Sequence, residues 1–260
     1  MIKNNRIEQY NYKVYDNEFQ PLPTDVDLAP GDIHICRAKL DLSEIIVREY
    51  EPLLCPQEKM RAAGFYFKRD RNRFVVGRGL LKTFLAKYLH VAPGKIKIRY
   101  RTNGKPFFYA AGKNRDIHFN LSHSQDSALY AFTRSDEIGV DIEKIQAFPE
   151  MSSIAEQFFS ERERALINDL PNNDQVSAFF TFWARKEALS KLTGNGLHQA
   201  VGKLDVTLPA RKTSYSPESA YTSKIPCRYF IRNLQTWPGF AAAIAAFREF
   251  GRVCCWQWQV

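Results

Sequence analysis

The stretch "IGVDIEK", Ile138 to Lys144, alternates Ile138, Val140 and Ile142 with Gly139, Asp141 and Glu143, the period of a β-strand with two unlike faces. One face demands a hydrophobic core, and the other carries two carboxylates roughly 7 Å apart at the backbone. "SALYAFT", Ser127 to Thr133, reads as a strand just before it, and the polar "RSDE" between them predicts an antiparallel hairpin. Taken alone, a charged strand face is the wet side of an edge strand more often than it is a site.

Helices flank these strands. From about Asp70 to Leu89, Phe74, Leu81, Leu85, Tyr88 and Leu89 recur at helical spacing, while Arg71, Arg73, Arg78, Lys82 and Lys87 occupy other faces, which predicts a long basic amphipathic helix. Pro93 and Gly94 stop it, "KIKIRYR" (Lys95 to Arg101) alternates as a strand, and "TNGKP" (Thr102 to Pro106) is a turn. Ser160 with Glu163 forms a capping box for a helix that Pro171 ends, and Asp174 can cap another that runs to about Leu192. "DIHICRAKLDL", "LDVTL", "CRYFIRN", "FAAAIAAF" and "VCCWQWQV" read as further strands. Residues 1–31, with Pro21, Pro23 and Pro30, read as an irregular arm, so the folded body is expected to begin near Asp32. Residues 213–223 read as a long hairpin loop. Each half sets helices beside strands, an α+β layout.

Charge divides the chain. Of its 260 residues, 1–134 hold 23 Lys+Arg against 14 Asp+Glu, and 135–260 hold 14 against 14, so the whole excess of +9 lies in the first half. Between Lys59 and Arg115 there are 16 basic residues and one acid, Asp70, a field that attracts polyanions. Nucleic acid, a phosphorylated cofactor and an acidic protein all satisfy it. The five cysteines form no CxxC pair, which points away from a zinc site or a disulfide framework and towards buried thiols in a reducing cytoplasm. No apolar run is long enough to span a bilayer, so no membrane partner is expected.

In "FWARKEALSKLTGNGL", Phe182 to Leu197, Trp183, Glu187 and Lys191 fall at i, i+4 and i+8 on one helix face. In isolation Glu187 and Lys191 would be an ordinary pair worth about 0.3–0.5 kcal/mol. Phe179, Phe180, Phe182 and Trp183 read as core, and Lys186, on a different face, is expected to meet solvent or a phosphate. The two stretches together, "GVDIEK" followed some 40 residues later by "FWARKEALSK", with "GKP" (Gly104 to Pro106) and "FNLSHS" (Phe119 to Ser124) upstream, resemble the 4′-phosphopantetheinyl transferases of the larger, monomeric, surfactin-synthetase-activating type. The resemblance covers roughly Cys55 to Leu197.

That resemblance implies a pseudo-dimer of two α+β subdomains, 1–134 and 135–260, each a small antiparallel sheet with a long helix, and an active site in the cleft between them. It implies transfer of the phosphopantetheine arm of coenzyme A to a serine of an apo acyl or peptidyl carrier protein. The chemistry of a pyrophosphate suits magnesium, which takes carboxylate and phosphate oxygens; manganese would fit the same donors. By similarity, Asp141, Glu143 and Glu187 are metal ligands, either Glu187, directly or through water, or a metal-bound water is the base, and Lys191 stabilises the phosphate charge. Arg61, Arg73, Lys105, Ser122 and His123 are expected around the phosphates of coenzyme A. The family's lysine pair is replaced here by Glu58 and Arg61. His34, His90, His118 and His198 are expected to be structural. Two other classes fit parts of the sequence: a nucleic-acid-binding module using the basic stretch, which leaves the three acids unexplained, and an inactive homologue that only binds carrier proteins.

Overall fold

The computed structural model describes residues 18–102, 104–108, 117–194, 204–207, 210–212 and 228–259. The 213–223 loop, Cys227, His198 and Asn103 of the turn lie outside them. In chain order the elements are β1 (Gln20–Pro21), β2 (Ile33–Lys39), α1 (Glu44–Tyr50), α2 (Pro56–Ala63), α3 (Lys68–Leu89), β3 (Ile98–Tyr100), β4 (Pro106–Phe108), β5 (His118–Ser124), β6 (Ser127–Thr133), β7 (Ile138–Lys144), α4 (Met151–Phe158), α5 (Glu161–Asn168), α6 (Asn172–Thr193), β8 (Ala210–Lys212), β9 (Arg228–Asn233), β10 (Phe240–Ala246) and β11 (Val253–Gln257).

Two sheets hold the molecule, ordered β1-β11-β2-β6-β5 and β7-β10-β9-β8, with β3 and β4 as a separate hairpin. The alternation seen in the sequence assigns each face. Ile33, Ile35, Leu129 and Ala131 of the first sheet meet Ile138, Val140, Ile142 and Ile244 of the second in a core between the sheets. The opposite face of the first sheet, with Cys36, Tyr130 and Phe132, packs on Val76, Leu80 and Phe84 of α3. Phe179, Phe182, Ala188 and Leu189 of α6 pack with Ala243 and Ala245 of β10 in a third core. The fold is α+β, with one long helix outside each of two sheets placed back to back.

β6 and β7 are not a hairpin. β6 lies between β2 and β5, and β7 pairs antiparallel with β10 in the other sheet, Asp141 opposite Ala243. The apolar face of β7 is buried by lying against the first sheet, and a strand joined to that sheet's edge could not use it so. β5 and β7 meet instead through side chains: the Val140 N–H donates to Asn120 Oδ1 at 3.0 Å and the Lys144 N–H to Ser124 Oγ at 3.0 Å. Edge amides of β7 that a ladder would use are thereby satisfied across the seam.

Two smaller expectations also change. The folded body begins before Asp32, because Gln20 pairs with Trp256 and Val26 and Leu28 are buried in the α3 core. Leu204 to Thr207 of "LDVTL" is irregular, since its backbone serves side chains: Leu204 O accepts from Lys186, Val206 O from Arg185, and Val206 N donates to Glu163. No helix among the described residues is long and apolar enough to cross a membrane. The Ser160–Glu163 capping box does form and starts α5.

Candidate active site

Gly139 decides how closely α6 approaches β7. A Cβ there would lie 1.9 Å from Ala188 O and 2.6 Å from Leu192 N, so only glycine lets the helix backbone rest on the strand. Ala188 and Leu192 flank Glu187 and Lys191, and Gly139 neighbours Asp141. The contact therefore sets the two halves of the acid cluster against each other.

Asp141 is 1% exposed, so the polar face of this strand is turned under α6 and not towards water. Lys191 Nζ donates to Asp141 Oδ1 at 2.6 Å and to Ser122 Oγ at 2.7 Å, and Ser122 donates to the same Oδ1 at 2.8 Å. Asp141 Oδ2 is buried with no hydrogen-bond partner. Glu143 accepts from Ser124 at 3.0 Å. Burial, then the charge of Asp141, pushes Glu143 up to about 7, with Glu187 adding to the effect. Glu187 is raised by burial and by Asp141. Three carboxylates share one lysine, a set short of positive charge.

Ser122, His123, Asp141, Glu143, Glu187 and Lys191 line one cavity of about 390 Å³ together with Arg78. A second, of about 500 Å³, is lined by Arg61, Arg73 and Gln125, and shares Arg78, Leu121 and His123 with the first. The pKa of His123 is lowered by burial and then by Lys191, Arg78, Arg73 and Arg61. Four cations acting on one imidazole make a field that attracts anions.

Of the nine residues assigned a catalytic, metal-binding or coenzyme A-binding role from the sequence, all but Lys105 line one of these cavities. Lys105 Nζ is bound to Glu137 at 2.7 Å, with Leu192 O at 3.3 Å, behind the wall that Pro106 presents. Arg73 makes a two-pronged pair with Asp41 at 2.6 and 2.7 Å. Lys186 meets neither solvent nor a cavity: it is fully buried against Glu163 at 2.8 Å and Leu204 O at 2.8 Å. Glu58 likewise turns inward, bound to Lys82 at 2.7 Å and to the Cys55 N–H at 2.9 Å, and does not line the second cavity. Arg78 was not singled out, although helical spacing put it one turn beyond Phe74 on the predicted basic helix.

The donor set fits a hard divalent cation: three carboxylates, one buried carboxylate oxygen without a partner, and a deficit of positive charge. Among the described residues no group of three or more His, Cys, Asp or Glu side chains is arranged as a site that could hold a metal ion. Magnesium is usually held by one or two carboxylates, with water and substrate phosphates completing its shell.

Two lobes meeting at acids on one side and cations on the other define a protein that handles a phosphate-rich substrate. Residues 137–245 match the family described as the 4′-phosphopantetheinyl transferase superfamily, and residues 48–134 match the 4′-phosphopantetheinyl transferase, N-terminal family. The 4′-phosphopantetheinyl transferase HetI of Nostoc sp. is 37% identical over 177 residues, covering 68% of this chain and 75% of that one. The 4′-phosphopantetheinyl transferase Sfp of Bacillus subtilis is 27% identical over 79% of this chain and 87% of its own length. The L-aminoadipate-semialdehyde dehydrogenase-phosphopantetheinyl transferase of Homo sapiens is 30% identical over 59% of this chain and 52% of its own. The chain belongs to the 4′-phosphopantetheinyl transferase superfamily.

Proposed function

We propose that this enzyme moves the 4′-phosphopantetheine arm of coenzyme A onto a serine of an apo acyl or peptidyl carrier protein. The observation that carries the reading is the meeting, in adjoining cavities, of Asp141, Glu143, Glu187 and Lys191 with the cations around His123. The serine oxygen attacks the β-phosphorus, the bond from that phosphorus to the bridging oxygen breaks, and adenosine 3′,5′-bisphosphate leaves. Glu187 takes the serine proton, directly or through a water; burial and Asp141 raise its pKa and so strengthen it as a base. Lys191 steadies the charge that grows on the leaving phosphate. Asp141, Glu143 and Glu187 would hold magnesium, or manganese, which when bound supplies charge neutralisation for the pyrophosphate. Arg61 and Arg73 bind the 3′-phosphate side, with Ser122 and His123 at its inner wall, and Lys105 joins them only by leaving Glu137.

The division of labour supports subdomains 1–134, basic and phosphate-binding, and 135–260, acidic at its site, with β11 returned to the first sheet. The protein acts as a monomer in a reducing cytoplasm, and its positive rim steers an acidic carrier; neither nucleic acid nor membrane is a partner. The test is intact-mass spectrometry of an apo carrier protein incubated with enzyme, coenzyme A and magnesium. A gain of about 340 Da, the phosphopantetheine arm, that disappears with chelator is expected. No gain on acyl or peptidyl carriers would overturn the reading.

A further inference from the structure

Arg73 is neutralised by Asp41, but two other arginines at the cavities have no carboxylate partner among the described residues. Arg61 and Arg78 both sit on the ring of Phe74, at 5.2 and 5.4 Å from its centroid, and Arg78 also lies 5.6 Å from the centre of Tyr100. Aromatic faces hold a guanidinium in place without using its N–H donors. Arg78 Nη1 is buried and has no acceptor. An arginine donor withdrawn from water and left unpaired is costly, and a phosphate oxygen repays it with a charge-assisted bond. Of the three arginines, Arg78 alone lines the carboxylate cavity as well as the second one, with Leu121 and His123 beside it in both.

We propose that Arg78 binds the pyrophosphate of coenzyme A at the junction of the two cavities, held in its binding pose by Phe74 and Tyr100. This rests on the transferase reading. Arg61 and Arg73, confined to the outer cavity, are left to the 3′-phosphate, and Arg78 spans the gap between that group and the carboxylates.

The experiment is calorimetric titration of coenzyme A and of 3′-dephospho-coenzyme A into the full chain with chelator present, so that binding is read apart from turnover. Arg78→Met keeps the stem against the two rings and removes every donor; Arg78→Lys keeps the charge and removes the planar fork. With melting temperature monitored as the check on folding, Arg78→Met is expected to bind both ligands about tenfold or more weakly, and Arg78→Lys to fall between it and wild type. Wild-type affinity in Arg78→Met, or in Arg78→Lys should the methionine variant not fold, overturns the proposal and leaves Arg78 a packing residue. A loss seen with coenzyme A and absent with the dephospho form also overturns it, because the guanidinium then serves the 3′-phosphate. Failure of the wild type to bind either ligand, with magnesium as well as with chelator, rejects the transferase reading itself, and the proposal with it.

Discussion

Asp141 is held in a state that stability alone would not choose. One of its oxygens takes two donors and the other is buried without any, while two further carboxylates crowd it. Its lysine partner is still 28% exposed, so that ammonium keeps a path to water if the aspartate is lost. Asp141→Asn should therefore lower transfer at least about 100-fold, the scale of losing an electrostatic stabiliser, while the metal-free protein melts no lower than wild type. A clear drop in melting temperature would show Asp141 to be chiefly structural. Glu137 illustrates the opposite economy. Burial by itself would raise its pKa, but His118, Lys105 and Arg101 outweigh burial and hold it well below the ordinary glutamate range. A depressed carboxylate contributes stability above its unfolded pKa and loses it as pH falls through the folded one. Glu137→Gln should thus melt lower than wild type at pH 7, and the gap should close as pH drops below about 4.3. A gap that stayed constant from pH 7 to pH 3 would reject the ionic origin.

At the scale of elements, the α6–β7 contact is the step on which the site depends. Gly139→Ala forces a methyl group into the helix backbone at Ala188 and Leu192, where no side chain can swing aside. Overpacking of this kind costs about 1–3 kcal/mol or more, so the variant should melt several degrees lower. Measured well below its melting point, transfer should fall far more than coenzyme A binding, because α6 carries Glu187 and Lys191 while the arginines belong to the other lobe. Equal losses would mean that the two lobes are not positioned independently. Much of this was legible in the alternation of β7, the i, i+4 pair on α6 and the Ser160–Glu163 box, all signals of local period or cap. What was hidden is non-local. Nothing in "RSDE" tells whether β7 pairs beside β6 or crosses to another sheet, since the same apolar face suits either core. Lys186 and Glu58 look like surface charges until Glu163 and Lys82 arrive from other elements to bury them. Arg78 hides for a related reason: its meaning comes from Tyr100 and His123, which no helical period contains.

The whole molecule is less divisible than its two lobes suggest. β11 lies between β1 and β2, parallel to both, with Val253 opposite Ile33 and Gln257 opposite Arg37. Gln257 also accepts from Arg37 through Oε1 at 2.7 Å, and Cys255 is buried in the core between the sheets. The last strand of the chain is thus an interior strand of the sheet built by the first half. The sequence's charge boundary and this topological one disagree, because the strands are placed by the core they share. A chain ending at Arg252 would lose an interior strand, expose the edge of β2 and leave β1 with nothing to pair with. Such a truncation should forfeit cooperative unfolding in the first lobe and with it coenzyme A binding, even though every residue assigned to the site is retained. Circular dichroism melting of the truncated chain, read beside coenzyme A titration, checks this. A sharp transition with undiminished binding would show that β11 only decorates the sheet, and that residues 1–134 hold the arginine-lined cavity without it.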